Sequence, residues 1–332
     1  MEKKRVHYID IAKGLLIMLV VLHHIPQLVT SKSVAMQNVD NLSILYVPFF
    51  MPAFFVLTGM CSNFSKPLVK FLRDKFCSIL IPAFCLGFIS MWINLICSGV
   101  TDIKEYCKLG FRTFIVYGGG YWFLTALFIS SIIYWFVKNK ISSIAIRFLI
   151  LILCLIVGIG VQCFGIPNYW HVAHALVLVV FLNVGELFRK YDLNLKIGSV
   201  AFLLYIGLLI FVLMFNINIP YITAHMNIKF FEIPLFMLLS ILGSIFIVAF
   251  SKLVGKNAII EGLGKHSLVI YGLHISVLSA IMKVLAMYGA DVGKIQTIGL
   301  IFIMALIICY FIALCINNTP LKVLIGKFNI SK

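Results

Sequence analysis

The first apolar stretch of the chain, Tyr8–His24, carries side chains that could do acid–base chemistry. On a helix that turns 100° per residue, Lys13 and His24 point in directions only about 20° apart, and Asp10 lies about 40° from His24. One face of this helix therefore carries a carboxylate, an amine and an imidazole. Imidazole titrates near neutral pH and is the commonest general base. An Asp or Lys inside a bilayer costs about 2.5–3.5 kcal/mol on insertion scales, so such residues indicate function.

Position along the stretch separates these three residues. Asp10 and Lys13 come early, where the helix N-terminus favours an acid and a lysine can extend towards the interface, so a purely interfacial role stays open for both. His24 comes about three to four turns deeper, and a functional role is favoured there. His23 points about 100° away from His24 and fits better as a packing or polar-pair residue.

Composition indicates a polytopic membrane protein. Of the 332 residues, 62% are hydrophobic and only 11% are charged, whereas a soluble domain has about 25% charged residues. A net charge of +16 could suggest nucleic-acid binding. Here the basic residues fall in short loops on alternate sides, which a membrane explains better. No cysteine pair has C-x-x-C spacing, so neither a metal site nor a disulfide framework is predicted.

The apolar runs predict an all-α bundle of ten membrane spans in a single domain covering residues 1–332. Each run has about 20 residues, which suits a hydrocarbon core about 30 Å thick. No cleavage signal follows the first run, so we expect it to remain as the first span. The predicted spans are 8–29, 44–62, 76–98, 121–137, 144–164, 169–188, 198–216, 233–251, 266–287 and 295–316.

Basic residues set the predicted orientation. One set of loops, together with the N-terminal segment and Lys13, holds 20 of the 27 Lys and Arg residues. Short loops rich in Lys and Arg stay on the cytoplasmic side. Both termini are therefore predicted to be cytoplasmic, in a cell (plasma) membrane. The residues concerned include Lys3, Lys4, Arg5, Lys66, Lys138, Arg147, Arg189, Lys252, Lys265 and Lys332.

Two further segments could bind a cofactor. Lys70, Arg73 and Lys75 precede the third span on the predicted cytoplasmic side and could hold the phosphates of a nucleotide-like cofactor, although their spacing alone favours ordinary positive-inside charge. Trp122 follows three glycines at the start of the fourth span. It could line a site for a ring or an acyl chain, or belong to the interfacial aromatic belt.

Polar groups on two other spans could contact a substrate. Ser267, Tyr271 and His274 have the spacing i, i+4 and i+7, which forms one polar stripe on an apolar helix. The stripe should face the protein interior, either as part of a site or as hydrogen-bonding glue between helices. Thr58, beside Gly59 on the second span, could likewise present a hydroxyl or serve close helix packing.

In this combination the chain resembles the integral-membrane acyltransferase type 3 family, whose members O-acylate envelope sugars and related acceptors. The resemblance lies in four pieces: YIDIAKG at 8–14 leading to His24, MPAFFVLTG at 51–59, WFL at 122–124, and LGKHSL at 263–268 continuing to Tyr271 and His274. The family more often has Ser at position 58, and Arg73 with Lys75 approximates its paired arginines. Ten spans is the family's usual number.

The resemblance implies acyl transfer from a cytoplasmic acyl-CoA, most often acetyl-CoA, to a hydroxyl of a glycan or lipid-linked acceptor. It implies His24 as the central catalytic residue with Lys13 as its partner, on the face that also carries Asp10. The expected cofactor-binding residues are then Arg73, Lys75, Lys70 and Trp122, and the expected substrate-binding or oxyanion residues are Tyr271, His274 and Thr58. Direct transfer and an acyl-histidine intermediate both remain open.

Two other classes of protein compete with this interpretation. A proton-coupled transporter or lipid-linked glycan flippase could use Asp10, Lys13, His24 and His274 as a relay. Carriers are often built from repeated halves, and no such repeat is evident in the sequence. A scaffold subunit without chemistry would leave the polar face of the first span unexplained.

Overall fold

α-Helices make up most of the chain in this computed structural model, which describes residues 6–29, 32–98 and 102–328. The helices are α1 His7–His24, α2 Val34–Leu42, α3 Phe50–Cys61, α4 Leu68–Lys75, α5 Ile81–Ser98, α6 Ile103–Phe111, α7 Trp122–Lys140, α8 Ile144–Cys163, α9 Val172–Phe188, α10 Leu195–Met214, α11 Ile233–Val254, α12 Ala258–Lys265, α13 Ser267–Met287 and α14 Ile295–Asn318. One antiparallel hairpin, β1 Tyr221–Ile222 with β2 Met226–Asn227, lies between α10 and α11.

The all-α polytopic arrangement is confirmed. Within the described residues, nine helical segments are long and apolar enough to cross a membrane, and the bent pair Val34–Leu45 with Phe50–Cys61 raises the number to ten if it counts as one span. That pair corrects the predicted second span, 44–62. α3 has only 12 residues, too few to cross a hydrocarbon core alone, and the chain bends by 43° before it begins.

Short elements occupy several segments that were predicted only as connections. α6 lies within the predicted loop 99–120, α4 precedes the third span, and α12 leads into α13. The side chain of Asn257 caps α12 by accepting from the backbone N–H of Ile260 at 3.0 Å. Ser33 caps α2 and also donates to the Gly293 carbonyl at 2.6 Å, which ties α2 to the turn between α13 and α14.

α1 lies at the centre of the bundle, where it packs against α3, α11, α12, α13 and α14. Two glycines allow its close approach to α12. A Cβ atom on Gly264 would lie 1.7 Å from the backbone oxygen of Asp10, and one on Gly14 would lie 2.1 Å from that of Ile260. Small residues let helix backbones approach in this way inside membranes. The first part of α1 is therefore held by α12.

A second glycine contact brings α3 and α9 together. A Cβ atom on Gly59 would lie 2.3 Å from the Leu182 oxygen, and one on Gly185 would lie 2.0 Å from the Val56 oxygen. α7 packs on α9 from another side, where Ser130 donates to the Ala175 carbonyl at 2.9 Å. Gly59 is thus a packing residue, and its neighbour Thr58 is positioned by that contact.

Ion pairs gather at the end of the bundle where α1 begins. They join Lys66 to Asp74 at 2.5 Å, Lys252 to Asp192 at 2.6 Å, and Lys138 to Glu186. This grouping agrees with the charge pattern, but which end faces the cytoplasm stays a prediction from that pattern. Lys3, Lys4, Arg5 and Lys332 lie outside the described residues.

Candidate active site

A cavity of about 610 Å³ lies at the end of the bundle where α1 finishes. We call it the large cavity. Its floor is formed by His24 of α1 and by Tyr271 and His274 of α13, and its rim by the α2 segment and the β1–β2 hairpin. On the floor alone, His24 and His274 are 250 residues apart in sequence. The tertiary fold, rather than any local motif, assembles this cavity.

His24 and His274 form a ring pair on the floor, with centroids 4.8 Å apart and planes at 75°. The Nδ1 atom of His24 lies 2.8 Å from the Val20 carbonyl oxygen, and that of His274 lies 2.7 Å from the Tyr271 carbonyl oxygen. A carbonyl only accepts, so both Nδ1 atoms carry the proton when the rings are neutral. The Nε2 atom of His274 then faces the N–H of His24 at 3.3 Å as an acceptor.

This hydrogen bonding leaves Nε2 of His24 unprotonated and without a hydrogen-bonding partner in the described part of the chain. An imidazole oriented through Nδ1 in this way presents Nε2 as a base. His23 does not share the role. Its ring packs against Phe50 at 5.4 Å and its Nε2 lies 2.8 Å from the Gln27 amide nitrogen, as expected for a packing or polar-pair residue.

Trp122 lines the large cavity, not the region near the basic cluster with which it was grouped in the sequence. Its ring lies 4.9 Å from that of His174, which is buried and bonded to Asn168 at 2.7 Å and to the Thr223 carbonyl at 3.1 Å. These contacts fix the indole against the wall. The tyrosine before it, Tyr121, donates its hydroxyl to the Gly272 carbonyl and so connects α7 to α13.

A smaller cavity of about 260 Å³ lies on the other side of Tyr271, towards the start of α1. Lys13, Thr58, Lys75 and Ser267 line it, and Cys61 joins them. None of the described residues that line this cavity is acidic, so two amines face it without a carboxylate between them. We call it the dilysine cavity. Its charge favours an anionic ligand.

Lys75 is held in the dilysine cavity by specific contacts. Its Nζ donates to the Ser62 hydroxyl at 2.8 Å and lies 5.8 Å and 5.6 Å from the centroids of Phe64 and Phe71. Lys70 and Arg73, in contrast, are exposed and line neither cavity. Of the three basic residues predicted to bind a cofactor, only Lys75 therefore faces a cavity of this site.

Thr58 faces the dilysine cavity, but its hydroxyl donates to the Phe54 carbonyl at 2.9 Å. The hydroxyl can still accept a hydrogen bond through its free lone pairs. It could donate to a developing oxyanion only after leaving the Phe54 carbonyl. Tyr271 brings a second hydroxyl to this cavity, and that hydroxyl is hydrogen-bonded to the Phe123 backbone.

Tyr271 separates the two cavities and lines both. Its ring is packed between those of Phe123 at 5.2 Å, Tyr121 at 5.7 Å and His274 at 5.8 Å. Lys13 and His24 lie on opposite sides of it and, being 11 residues apart on one helix, are separated by about 16 Å of rise. The two residues share a face as predicted, but they do not touch.

Asp10 lines neither cavity. It is buried where α1 meets Gly264 of α12. The same junction carries Glu261, which pairs with Lys265 and, at 2.9 Å, with His7. Hydrogen bonds from the Lys265 ammonium and the His7 ring hold the pKa of Glu261 below its usual range. This charged junction supports the position of α1.

Several residues of the site were not predicted. Lys32 and Asp40 pair on the rim of the large cavity, beside Tyr221 and His225 of the hairpin region. Nothing in their local sequence distinguishes a rim residue from an ordinary loop residue. Cys61 stands next to the predicted segment 51–59 and could have been added as a neighbour, since it follows Thr58 by about one helical turn.

Taken together, the site offers a base to one cavity and two cations to another, with an aromatic hydroxyl between them. This arrangement suits a reaction between two molecules that enter from opposite sides. The base can activate a nucleophile in the large cavity. The cations can bind an anionic reactant in the dilysine cavity.

Comparison with known proteins identifies the family. The model of the acyltransferase type 3 family, described as an acyltransferase domain, matches residues 6–314, which is nearly the whole chain. The chain therefore belongs to this family. No curated protein and no solved structure matches it.

Proposed function

We propose that this protein transfers an acyl group, with acetyl as the first candidate, from a cytoplasmic acyl-CoA to a hydroxyl of a cell-envelope glycan. The family supports a membrane acyltransferase. The donor, the acceptor, the acetyl group and the plasma membrane are parts of our proposal. The observation that carries it is the meeting of the large cavity and the dilysine cavity at Tyr271.

The dilysine cavity is the proposed entry for the donor. Acyl-CoA is a polyanion, and Lys13 and Lys75 provide positive charge with no acidic residue among the described lining residues. The positive-inside pattern assigns this end of the bundle to the cytoplasm, where acyl-CoA is made. A thioester that reaches Tyr271 from this side places its carbonyl within range of the tyrosine hydroxyl.

The large cavity is the proposed site for the acceptor. As the acceptor oxygen attacks the thioester carbon, Nε2 of His24 takes the hydroxyl proton, and the Val20 carbonyl stabilises the resulting imidazolium through Nδ1–H. The Tyr271 hydroxyl is the proposed donor to the oxyanion. When the carbon–sulfur bond breaks, the imidazolium returns its proton to the thiolate. An acyl group carried briefly on His24 would use the same residues.

The transporter alternative receives less support from this geometry. A proton relay through Asp10, Lys13, His24 and His274 needs those groups along one connected path. Asp10 instead lies at the α1–α12 contact, and the ring of Tyr271 stands between Lys13 and the histidines.

The proposed function is tested with purified protein in lipid nanodiscs and acetyl-CoA that carries a labelled acetyl group. We expect His24→Ala to lower acetyl transfer to a glycan acceptor, or hydrolysis of the thioester, by about 10²–10⁴-fold, the usual contribution of a general base. His7→Ala is the matched control, because His7 begins the same helix, lines neither cavity, and leaves the Glu261–Lys265 pair of the α1–α12 junction in place. Unchanged turnover in His24→Ala would refute the assigned role. Acetyl-CoA-independent uptake of solute by vesicles would favour the transporter.

A further inference from the structure

A side chamber of about 260 Å³ branches from the large cavity, and the mechanism above does not use it. It lies between α5 and α6. Gly120, Tyr121 and Ile275 line both the side chamber and the large cavity, so the two spaces adjoin at these residues. None of the described lining residues of the dilysine cavity contributes to the side chamber. A ligand in it therefore extends from the acceptor side of Tyr271.

Two glycines allow side chains to pack closely along the walls of the side chamber. A Cβ atom on Gly110 would lie 2.3 Å from the sulfur of Met91, and one on Gly87 would lie 2.8 Å from the ring of Phe114. These contacts let Met91 and Phe114 form apolar walls together with Leu109. The hydroxyls of two polar lining residues are already engaged, because Tyr106 donates to the Met91 carbonyl at 2.7 Å and Ser90 bonds to Ser276. The Tyr121 hydroxyl is engaged as well, by the Gly272 carbonyl, so Asn94 and Thr113 complete the polar part of the lining. With three of its five polar side chains bonded within the protein, the chamber suits a hydrocarbon better than a sugar.

The chamber also leads towards the lipid. Phe114 lines it and, in addition, lines an apolar groove of about 390 Å³ with Phe84 and Phe88. Phe88 is 53% exposed, on a span whose outward residues face the membrane. α6 closes the chamber and exposes both apolar and basic side chains, such as Leu109, Phe111 and Lys108, as an interfacial helix does. The lipid-facing groove and the side chamber therefore adjoin at Phe114, and the side chamber adjoins the large cavity at Gly120.

We propose that the side chamber binds the hydrocarbon chain of the acceptor, so that the acceptor is a membrane-borne, lipid-linked alcohol. The proposal rests on the proposed function for the identity of the reacting hydroxyl. The head group lies in the large cavity beside His24, and the chain passes Gly120 into the side chamber and then along the Phe114 groove. Such an acceptor reaches the site from within the bilayer and does not have to be captured from water.

Gly120 provides the key variant. No atom lies within 4 Å of a Cβ built on it, and its φ is not positive, so a larger residue fits there and projects into open space. Leucine at this position would occupy the junction of the two spaces. Gly207 on α10 also has no atom within 4 Å of its Cβ position and lies away from every cavity of the site. Gly207→Leu is therefore the matched control.

The test uses full-length protein in nanodiscs and a decyl glucoside that carries a photoreactive diazirine at the end of its chain. We expect labelling to concentrate on residues 87–94 and 106–114. Gly120→Leu should reduce it about tenfold, the effect of losing roughly two buried methylenes, and Gly207→Leu should leave it unchanged. Leu109→Trp fills the chamber from α6 and serves as a second variant. Labelling that is spread evenly over lipid-facing helices, or unchanged by both filling variants, overturns the proposal.

Competition experiments show whether the side chamber holds the hydrocarbon chain of the acceptor or the acyl chain of the donor. Unlabelled decyl glucoside should displace the label and decanoyl-CoA should not. If decanoyl-CoA alone displaces it, the chamber holds the acyl chain of the donor and the proposal is wrong. His24→Ala should keep the labelling while it loses transfer. Loss of the chain site and failure of the proposed function are therefore observed independently.

Discussion

The large cavity and the dilysine cavity share four lining helices, α1, α3, α7 and α13, yet they have opposite chemical character. In the large cavity, the rings of His24 and His274 pack against each other, and the Nδ1–H group of each donates to a backbone carbonyl. On the side of Lys13, two amines share a space without an acid among the described lining residues. One helix face thus supplies a base at one depth and a cation at another. In the proposed reaction, depth along the helix, more than the face, decides which reactant each residue meets.

Among the variants that test this difference between the two cavities, Lys75→Gln is expected to have the largest effect. A hydrogen bond to a charged group is worth about 1.5–3 kcal/mol, so loss of the ammonium should raise the KM for acetyl-CoA about tenfold to a hundredfold. The KM for the acceptor should not change, because Lys75 does not line the large cavity. Steady-state kinetics with each substrate varied in turn measure both values.

Three other variants show whether the KM for acetyl-CoA depends on the position of Lys75 in the cavity or only on the loss of a positive charge. Lys140→Gln, on an exposed residue at the end of α7, is the control for lost charge. Lys70→Gln and Arg73→Gln test the exposed remainder of the basic cluster. If either of these raises the KM for acetyl-CoA as much as Lys75→Gln, the donor binds at the surface cluster and the dilysine cavity loses its assigned role.

An intermediate effect is expected from Gly264→Ala, which should disturb the donor side more than the acceptor side. The added Cβ would lie 1.7 Å from the Asp10 oxygen, and overpacking of this kind costs about 1–3 kcal/mol of stability. α1 and α12 must then separate near Lys13. We expect a lower midpoint of thermal unfolding, measured by intrinsic tryptophan fluorescence in detergent.

Gly299→Ala is the control for this substitution, since no atom lies within 4 Å of a Cβ at that position on α14. Equal unfolding midpoints for the two variants would mean that the α1–α12 contact relaxes without cost. The contact would then not be what positions Lys13.

The smallest effect is expected from His274→Phe, which keeps a ring on the floor of the large cavity and removes the acceptor that faces His24. A net hydrogen bond is worth about 0.5–1.5 kcal/mol, so kcat should fall about threefold to tenfold. The KM for acetyl-CoA should stay constant. His274→Gln, whose amide oxygen can accept, should recover part of the loss. A decrease as large as that of His24→Ala would make His274 a second catalytic base instead.

The sequence predicted the parts of the fold that depend on local pattern. The predicted spans 144–164 and 169–188 agree with α8 and α9 within a few residues, because apolar length alone defines them. Pro48 and Pro52 stand beside the bend before α3, and α2 was not predicted. The β1–β2 hairpin has only two residues per strand, too few to produce an alternating pattern.

Local sequence pattern likewise predicts one part of the candidate site and not the other. The side on which Tyr271 and His274 lie follows from helical spacing, and both are buried. Their meeting with His24 depends on contacts across about 250 positions of sequence, which no local pattern encodes. The choice of Lys75 over Arg73 likewise depends on the loop that ends α3, where Ser62 accepts from the lysine. Sequence spacing puts Arg73 and Lys75 on the same short helix and does not show which of them lines the dilysine cavity.

The ring of Tyr271 has a consequence for the bilayer itself. A membrane that stores an ion gradient must remain insulating wherever it is crossed, and here polar spaces approach each other from both ends of the bundle. Between them stands the thickness of one aromatic side chain, wedged by Phe123 and Tyr121. In the proposed reaction an acyl group and one proton are exchanged across this barrier in each turnover, while the barrier keeps bulk water and salts on their own sides.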